Sequence, residues 1–292
     1  MNTSLTATIS APVCGGCGLS VGEPVGMIPF YLPGRDIQTP IWRCSECGTY
    51  IRDVDLLNPE LQRHFEVASY TDLTAEHRIR AVRAGFFDYV LQLLRAHLER
   101  PLTGLRVLDF GCAYGHFLER LRDLDIPAEG VELVRALRET VRQRGMTVHA
   151  QPPQPGTVTF DIIVAIDSLY YTNDPASTLK ELRALLAPNG CLLIRVANRT
   201  WLLDLLHQLG LAIGNDRFGD AKYNFSIEGT LSLIRRAGFQ VSEVHWSERG
   251  KADPRPLIRL YYKAASLSSE YMSLRITPGM LVLARPTSQN NP

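Results

Sequence analysis

The chain has 292 residues, 45% of them hydrophobic, enough for one large domain with a buried core and a small second one. Its formal net charge is +1, so no overall field draws it to nucleic acid or to an acidic membrane surface. No run of eighteen apolar residues occurs, and the opening MNTSLTATISAPVC lacks the basic segment and apolar core of a signal peptide. The expectation is a cytoplasmic protein without a transmembrane helix.

In chain order, residues 1–13 read as a polar tail, and residues 14–52 are rich in Gly, Pro and Cys with few helix signals. A linker with Asn58-Pro59 leads to a helix over Thr74–Arg100, where Ile79, Val82, Phe86, Val90, Leu93, Leu94 and Leu98 recur at three- and four-residue steps. Pro101 and Gly104 end it. Strands and helices then alternate: strand Leu105–Phe110, helix Gly115–Leu124, strand Ala128–Glu132, helix Leu133–Arg144, strands Thr147–Ala150 and Phe160–Ile166, and helix Pro175–Leu186. A Pro188-Asn189-Gly190 turn precedes strand Cys191–Val196. The apolar strands run without alternation, as in a parallel sheet covered on both faces, and the order predicts a doubly wound α/β fold.

Thr200–Asp220 reads as a lid or insertion, Ser226–Ala237 as a helix capped by Gly238, and Phe239–Trp246 as a strand. Met280–Ala284 suits a final strand, and Leu257–Leu267, inside the long intervening stretch, suits an amphipathic helix. The expected division is a small N-terminal unit (1–57), a linker with a capping helix (58–104) and a main domain (105–292) with an insertion at 247–277.

The first unit carries Cys14-Gly-Gly-Cys17-Gly18 and Cys44-Ser-Glu-Cys47-Gly48, with residues 18–43 between the pairs. Each C-x-x-C turn offers two thiolates to one ion, and the Gly that follows permits the positive φ that turns backbone N–H groups toward sulfur. Two such turns predict a closed, structural Cys₄ zinc ribbon on Cys14, Cys17, Cys44 and Cys47; the alternatives are two disulfides or free thiols. A four-thiolate site leaves no open coordination position, so the metal is not expected to be catalytic. Residues 1–60 hold three arginines against six acids, a balance of −3 that opposes nucleic-acid binding by the ribbon. Cys112 and Cys191 lie in apolar surroundings and read as inert core thiols.

The stretch Val107-Leu108-Asp109-Phe110-Gly111-Cys112-Ala113-Tyr114-Gly115-His116 runs strand, small-residue turn, helix. A dinucleotide fingerprint needs Gly at positions 111, 113 and 116, and this chain has Ala113 and His116. A pyrophosphate gains nothing from Asp109 at the strand end, whereas an ammonium does. Glu132, 21 residues after Gly111, can accept hydrogen bonds from two ribose hydroxyls, a feature shared by nicotinamide and S-adenosylmethionine (SAM) sites.

On these residues the sequence resembles the class I SAM-dependent methyltransferases. VLDFGCAYGHFLERL is similar to their first motif, GVELVRALRETVRQRGMTV to their second strand and helix, and FDIIVAIDSLYYTNDPASTLKELRALLAPNGCLLIRVAN to the fourth strand through the fifth. With the paired C-x-x-C turns, the chain resembles bacterial zinc-ribbon methyltransferases of sugars, polysaccharides and natural products. The resemblance implies a seven-stranded, mostly parallel sheet with an antiparallel last strand. It implies that Asp109 faces the methionine amino group, that Gly111, Cys112, Ala113 and Gly115 form the turn beneath the cofactor, and that Glu132 holds the ribose while Leu133 packs on adenine. Asp167 and Ser168 would line the floor near the sulfonium. The chain departs from the family at Ala113, at Leu169-Tyr170-Tyr171, where relatives often carry Glu-His, and at Gln151-Pro152-Pro153, where an adenine-binding acid is absent.

Methyl transfer from a sulfonium is an in-line displacement, and an oxygen or carbon nucleophile usually needs a base. None of the seven histidines is diagnostic. His116, His207 and His245 read as packing, capping or surface residues, and no catalytic base is assigned. Tyr170, Tyr171 and, more weakly, Tyr223 are candidates for substrate contact. Arg249, Lys251, Arg255, Arg259 and Lys263 form a solvated helix face, a patch for a phosphate or nucleotide on the substrate, or a surface weakly attracted to an acidic membrane. The function expected is methyl transfer to a small or carrier-linked acceptor such as a sugar or secondary metabolite. The rivals are an RNA methyltransferase, a non-catalytic SAM-binding subunit and a nicotinamide-dependent oxidoreductase.

Overall fold

The structure is a computed structural model that describes residues 11–32, 35–56, 58–59, 73–246, 255–271 and 275–287. Residues 1–10, Arg249 and Lys251 lie outside them, as do parts of the expected linker and of the 247–277 insertion.

The two C-x-x-C turns fold identically. Gly18 N donates to the Cys14 carbonyl and Gly48 N to the Cys44 carbonyl, each at 2.9 Å. Both glycines have positive φ, 82° and 74°. Between the turns, β1 (Pro24–Leu32) and β2 (Arg35–Arg43) form an antiparallel pair, and β3 (Tyr50–Arg52) pairs with β2. The outer partner of β3 comes from far along the chain: Tyr50 pairs with Asn224 and Ile51 with Tyr223.

Helix α1 (Leu73–Leu98) then crosses to the main sheet. The sheet is built from β4 (Val107–Phe110), β5 (Ala128–Val131), β6 (Thr147–His149), β7 (Phe160–Ile166), β8 (Leu186–Ala197), β10 (Phe239–His245) and β11 (Gly279–Pro286), with the two-residue β9 (Tyr223–Asn224) serving the N-terminal sheet. Its order is β10-β11-β8-β7-β4-β5-β6, and the pairs β10–β11 and β11–β8 are antiparallel. The seven-stranded, mostly parallel expectation and the antiparallel last strand are both met.

Helices α2 (His116–Arg122), α3 (Arg135–Gln143), α4 (Pro175–Ala184) and α7 (Ile227–Arg236) join α1 in covering the sheet. Ile162, Ile163, Val164, Leu192, Leu193 and Ile194 have no exposure, which is why β7 and β8 read as continuous apolar runs. One hydrophobic cluster joins Phe160, Leu179 and Leu233 to Cys14, Trp42 and Ile51 of the ribbon, so the ribbon packs into the same core as the main sheet. Among the described residues no helix is long and apolar enough to cross a membrane.

Three local expectations change. Pro188-Asn189-Gly190 is not a turn before a strand but a bulge within β8: the register passes from Phe160↔Leu186 directly to Ile162↔Cys191. A Cβ on Gly190 would sit 3.0–3.1 Å from the carbonyls of Ala187 and Asp161, so glycine permits the bulge. The 200–220 stretch is not a free-standing lid. It forms α5 (Thr200–Gln208) and α6 (Asn215–Phe218), whose Leu203 and Phe218 are buried against Ile28, Ile41 and Tyr50 of the N-terminal sheet. Finally, the amphipathic helix runs further than expected, as α8 (Pro256–Tyr271).

Candidate cofactor site, acceptor pocket and metal cluster

The main sheet reverses its winding between β4 and β7, because β5 and β6 extend to one side of β4 and β7 and β8 to the other. Loops leave the carboxyl ends of these strands at that point, the usual place for a ligand in a doubly wound sheet. Asp109, the last residue but one of β4, lies there almost wholly buried. Among the described residues its carboxylate makes no hydrogen bond or ion pair. Burial pushes its pKa up to about 7; the nearby charge of Glu132 adds to the rise and Arg83 opposes it. A carboxylate left in this state is a receptor for a cation.

The turn after β4 is a cradle of close approaches. Gly111 has φ 80°, and a Cβ there would lie 2.4 Å from Ser168 Cβ. Ala113 takes φ 48°, so the alanine in place of the family's glycine is accommodated in the left-handed region. Its amide donates to Glu132 Oε2 at 3.0 Å. Gly115 has φ 76° and immediately precedes α2. The Cys112 side chain faces inward over Gly130, where a Cβ would lie 2.7 Å from its sulfur, so Cys112 contributes backbone to the turn. Burial holds its thiol well above the ordinary range, and Cys191 is likewise pushed up to about 12, as expected for core thiols.

Gly111→Ala is expected to destabilise the protein by about 2 kcal/mol or more, because the added methyl meets Ser168 and φ is left-handed. Thermal melting checks this; an unchanged midpoint would contradict the packing described.

Glu132 follows β5. Its Oε1 accepts from Val134 N at 2.8 Å and its Oε2 from Ala113 N. Burial raises its pKa against these bonds. A carboxylate has about four acceptor positions, so two stay open for a diol. Leu133, beside it, is 49% exposed.

A cavity of about 40 Å³ joins Asp109, Gly111, Ala113, His116 and Ile166 to Ile79, Arg83 and Phe87 of α1. These last three sit at i, i+4 and i+8, one stripe of a helix. Arg83 and Phe87 escaped the sequence reading because the neighbouring Val82–Phe86–Val90 row marks the buried face; an arginine within an apolar stripe was the available signal. His116 donates no cap. Its ring stacks on Tyr114 at 5.6 Å and its Nε2 lies 3.1 Å from Glu76 Oε1, while Arg144 donates to the same oxygen at 2.6 Å. Burial lowers the His116 pKa, which fits the packing role expected.

A second, larger cavity of about 330 Å³ opens beside the first and shares Arg83 with it. Asp167 lines this second cavity, with φ 57°. It accepts from Arg83 Nη2 at 2.9 Å and pairs closely with Arg195. Tyr170, Arg195, Asn198, Arg199 and Trp201 line this cavity, with Tyr261 and Tyr262 from α8. Burial raises the Tyr170 pKa well above normal. Tyr171 turns away from this cavity and donates to Asp220 Oδ1 at 2.7 Å. Tyr223 is elsewhere: it is buried on β9, stacks on Phe225, donates to the Asn173 carbonyl at 2.8 Å and packs under Gly15 of the ribbon. It is packed against the ribbon and does not line either cavity.

His207 is exposed, and His245 lies 2.9 Å from Glu243 on its own strand. Arg255, Arg259 and Lys263 are exposed and do not line the cavity. Arg195, Arg199 and Trp201 carried no recognisable motif; only the folding of β8 and α5 beside Asp167 brings them together.

The four cysteine sulfurs lie within 4.8 Å of one another. Cys14 and Cys47 are 3.6 Å apart and Cys17 and Cys44 3.5 Å. A tetrahedron with arms of about 2.3 Å has edges near 3.8 Å, whereas a disulfide spans about 2.05 Å. The cluster has the form of a metal site and is inconsistent with the disulfide alternative.

Residues 75–244 match the family model described as a methyltransferase domain. The chain is 29% identical over 161 residues to the ubiquinone biosynthesis O-methyltransferase of Bradyrhizobium diazoefficiens, covering 47% of this chain and 62% of that one. It is 26% identical over 222 residues to the protein of the same name from Xylella fastidiosa, covering 66% and 82%. The chain spans 62%, 53% and 52% of the length of three such curated relatives. Among solved structures it is similar to the plantazolicin methyltransferase BpumL, in complex with a monoazolic desmethylPZN analog and SAH, with a TM-score of 0.51 and 12% identity over 78% of this chain and 95% of that one. At that identity the likeness is one of fold.

Proposed function

Because this chain belongs to the methyltransferase-domain family, we propose that it is a SAM-dependent methyltransferase that transfers methyl to a small or carrier-linked acceptor, of the kind represented by sugars and secondary metabolites. The unpartnered, buried Asp109 carboxylate carries the assignment of the cofactor site. SAM supplies a methyl group on a sulfonium, together with an ammonium, a carboxylate and a ribose diol, and no phosphate.

Asp109 would hold the ammonium, the Gly111–Gly115 turn would lie under the methionyl and ribose parts, and Glu132 would accept from the diol through its two open positions. Leu133 would cover the adenine. Asp167 and Ser168 would form the floor near the sulfonium, and Asp167 also steadies Arg83 and Arg195. Tyr170 faces the acceptor cavity; Tyr171 steadies the loop through Asp220.

Cys14, Cys17, Cys44 and Cys47 would hold a structural zinc ion, which the sulfur spacings support. The ribbon's acidic balance favours a small-molecule acceptor over RNA.

Calorimetric titration with SAM and, separately, NADH tests the reading, with Glu132→Ala beside the unaltered protein. SAM binds and NADH does not, and the substitution weakens SAM by about tenfold or more through loss of two hydrogen bonds to an ionised acceptor. Equal SAM affinity in the variant would remove Glu132 from the site. Binding of NADH in place of SAM would overturn the cofactor assignment.

A further inference from the structure

We infer that the larger cavity selects acceptors bearing an anionic group, a carboxylate or phosphate, on a flat ring, and that Arg199 reads that group; the inference rests on the methyl-transfer reading of the same site.

Among the described residues that line the cavity, the charged groups are Arg83, Arg195, Arg199 and Asp167. Their balance is +2. Asp167 is committed to Arg83 and Arg195. Arg199 has no carboxylate partner among the described residues. One of its N–H groups, on Nη1, donates to the Phe218 carbonyl at 3.2 Å, which leaves four of the five donors of a guanidinium for a ligand.

The backbone of Gly219 runs beside this exposed guanidinium. Gly219, with φ 84°, passes so close that a Cβ there would lie 2.5 Å from Arg199 Nη1. A side chain at 219 would displace the tip of Arg199 and would also be strained by the left-handed backbone. Tyr170 supplies a second marker. Asp167, Arg195, Arg83 and Arg199 all act electrostatically on its hydroxyl, so the four charged groups converge on one region of the cavity. That hydroxyl makes no hydrogen bond among the described residues.

Trp201, Tyr170, Tyr261 and Tyr262 provide flat faces around the charged region. At about 330 Å³ the cavity has room for a ring system of modest size. A neutral acceptor would leave the positive potential unused, and a cationic one would be repelled by it. An anion gains charge-assisted hydrogen bonds from a planar fork suited to two oxygens.

The experiment uses full-length, metal-loaded protein saturated with S-adenosylhomocysteine, titrated with benzoate, phenyl phosphate and neutral benzamide. The saturation step is itself a titration, so failure to bind S-adenosylhomocysteine sinks the methyl-transfer reading separately from the acceptor inference. On the loaded protein, the expected result is that benzoate or phenyl phosphate binds at least tenfold more tightly than benzamide; which of the two is preferred separates a carboxylate-bearing from a phosphate-bearing acceptor. Arg199→Gln removes that preference with S-adenosylhomocysteine affinity unchanged, and Arg199→Lys, which keeps the charge without the fork, restores part of it. Equal binding of benzamide and the two anions, no binding of any anion, or full preference in Arg199→Gln would each overturn the inference.

Discussion

Asp109→Asn is expected to weaken SAM binding by about 10- to 100-fold, the loss of one charge-assisted contact to an ammonium, and to flatten its pH dependence. In the unaltered protein Asp109 must be ionised to hold a cation, and burial has moved its pKa up to about 7. SAM affinity therefore falls as pH drops below about 7, and the asparagine variant lacks that fall.

Stability moves in the opposite sense. Between the unfolded carboxylate value near 3.8 and the folded value of about 7, the folded chain holds a proton that the unfolded chain releases. Stability contributed by this proton is complete below the lower value and lost as pH rises through the upper one. At about 1.36 kcal/mol per unit, the loss approaches about 4 kcal/mol by pH 8. Without cofactor, the asparagine variant should thus gain on the unaltered protein as pH is raised from 4 to 8. Calorimetry with SAM across this range, paired with denaturant melts of the free protein, reads both effects. A variant with unchanged SAM affinity and an unchanged pH profile would show that Asp109 is not the cation receptor.

Removing the metal is expected to weaken the whole molecule. Free energies of about 10–16 kcal/mol accompany zinc binding in isolated finger peptides. Loss of only a third of that lowers the melting temperature of a domain this size by about 10–20 °C. The damage spreads because Trp42, Ile51 and Cys14 share a core with Leu179 and Leu233. Polar ties cross the same boundary. Ser226 caps α7 through Gly229 N at 2.8 Å and also reaches the Cys47 carbonyl, and Arg236 donates to the Gly16 carbonyl at 2.9 Å. Arg43 and Tyr50 hold Asp204 of α5 at 2.7 and 2.9 Å. Differential scanning calorimetry before and after chelation, with metal content measured on each sample, should give one transition that moves down as a unit. Protein proven metal-free that melts unchanged would remove the metal from the fold. Destabilisation by a thiol reductant, with no response to chelator, would point to sulfur–sulfur bonds instead.

The parts of this molecule legible in its sequence are those whose signal is local. Asp109 lies in β4, Gly111 just after it and Glu132 just after β5, and the turn beside them needs small side chains, so spacing and residue type carry the information. The cysteine pairs are legible for the same reason: each turn specifies its own geometry. The larger cavity was legible only at Asp167 and Tyr170. Arg83 comes from α1, Asp167 and Tyr170 from the loop after β7, Arg195 from β8, and Tyr261 from α8, so its chemistry exists only once distant segments meet. Tyr223 precedes a helix in the sequence, which says nothing of the pairing of β9 with β3 that sets it against the ribbon. Pro188-Asn189-Gly190 misled because turn residues also serve bulges, and only the register with β7 distinguishes them.

Pairing of Ile51 with Tyr223 closes the N-terminal sheet across more than half of the sequence. During synthesis all four cysteines are in place once Cys47 leaves the ribosome, but β3 lacks its outer partner until residue 224 follows. At about 5–20 residues per second, that is a wait of roughly 9–35 seconds. An open edge is a template for pairing with another chain. A gene trimmed to end before β9 would leave the outer edge of β3 without this partner.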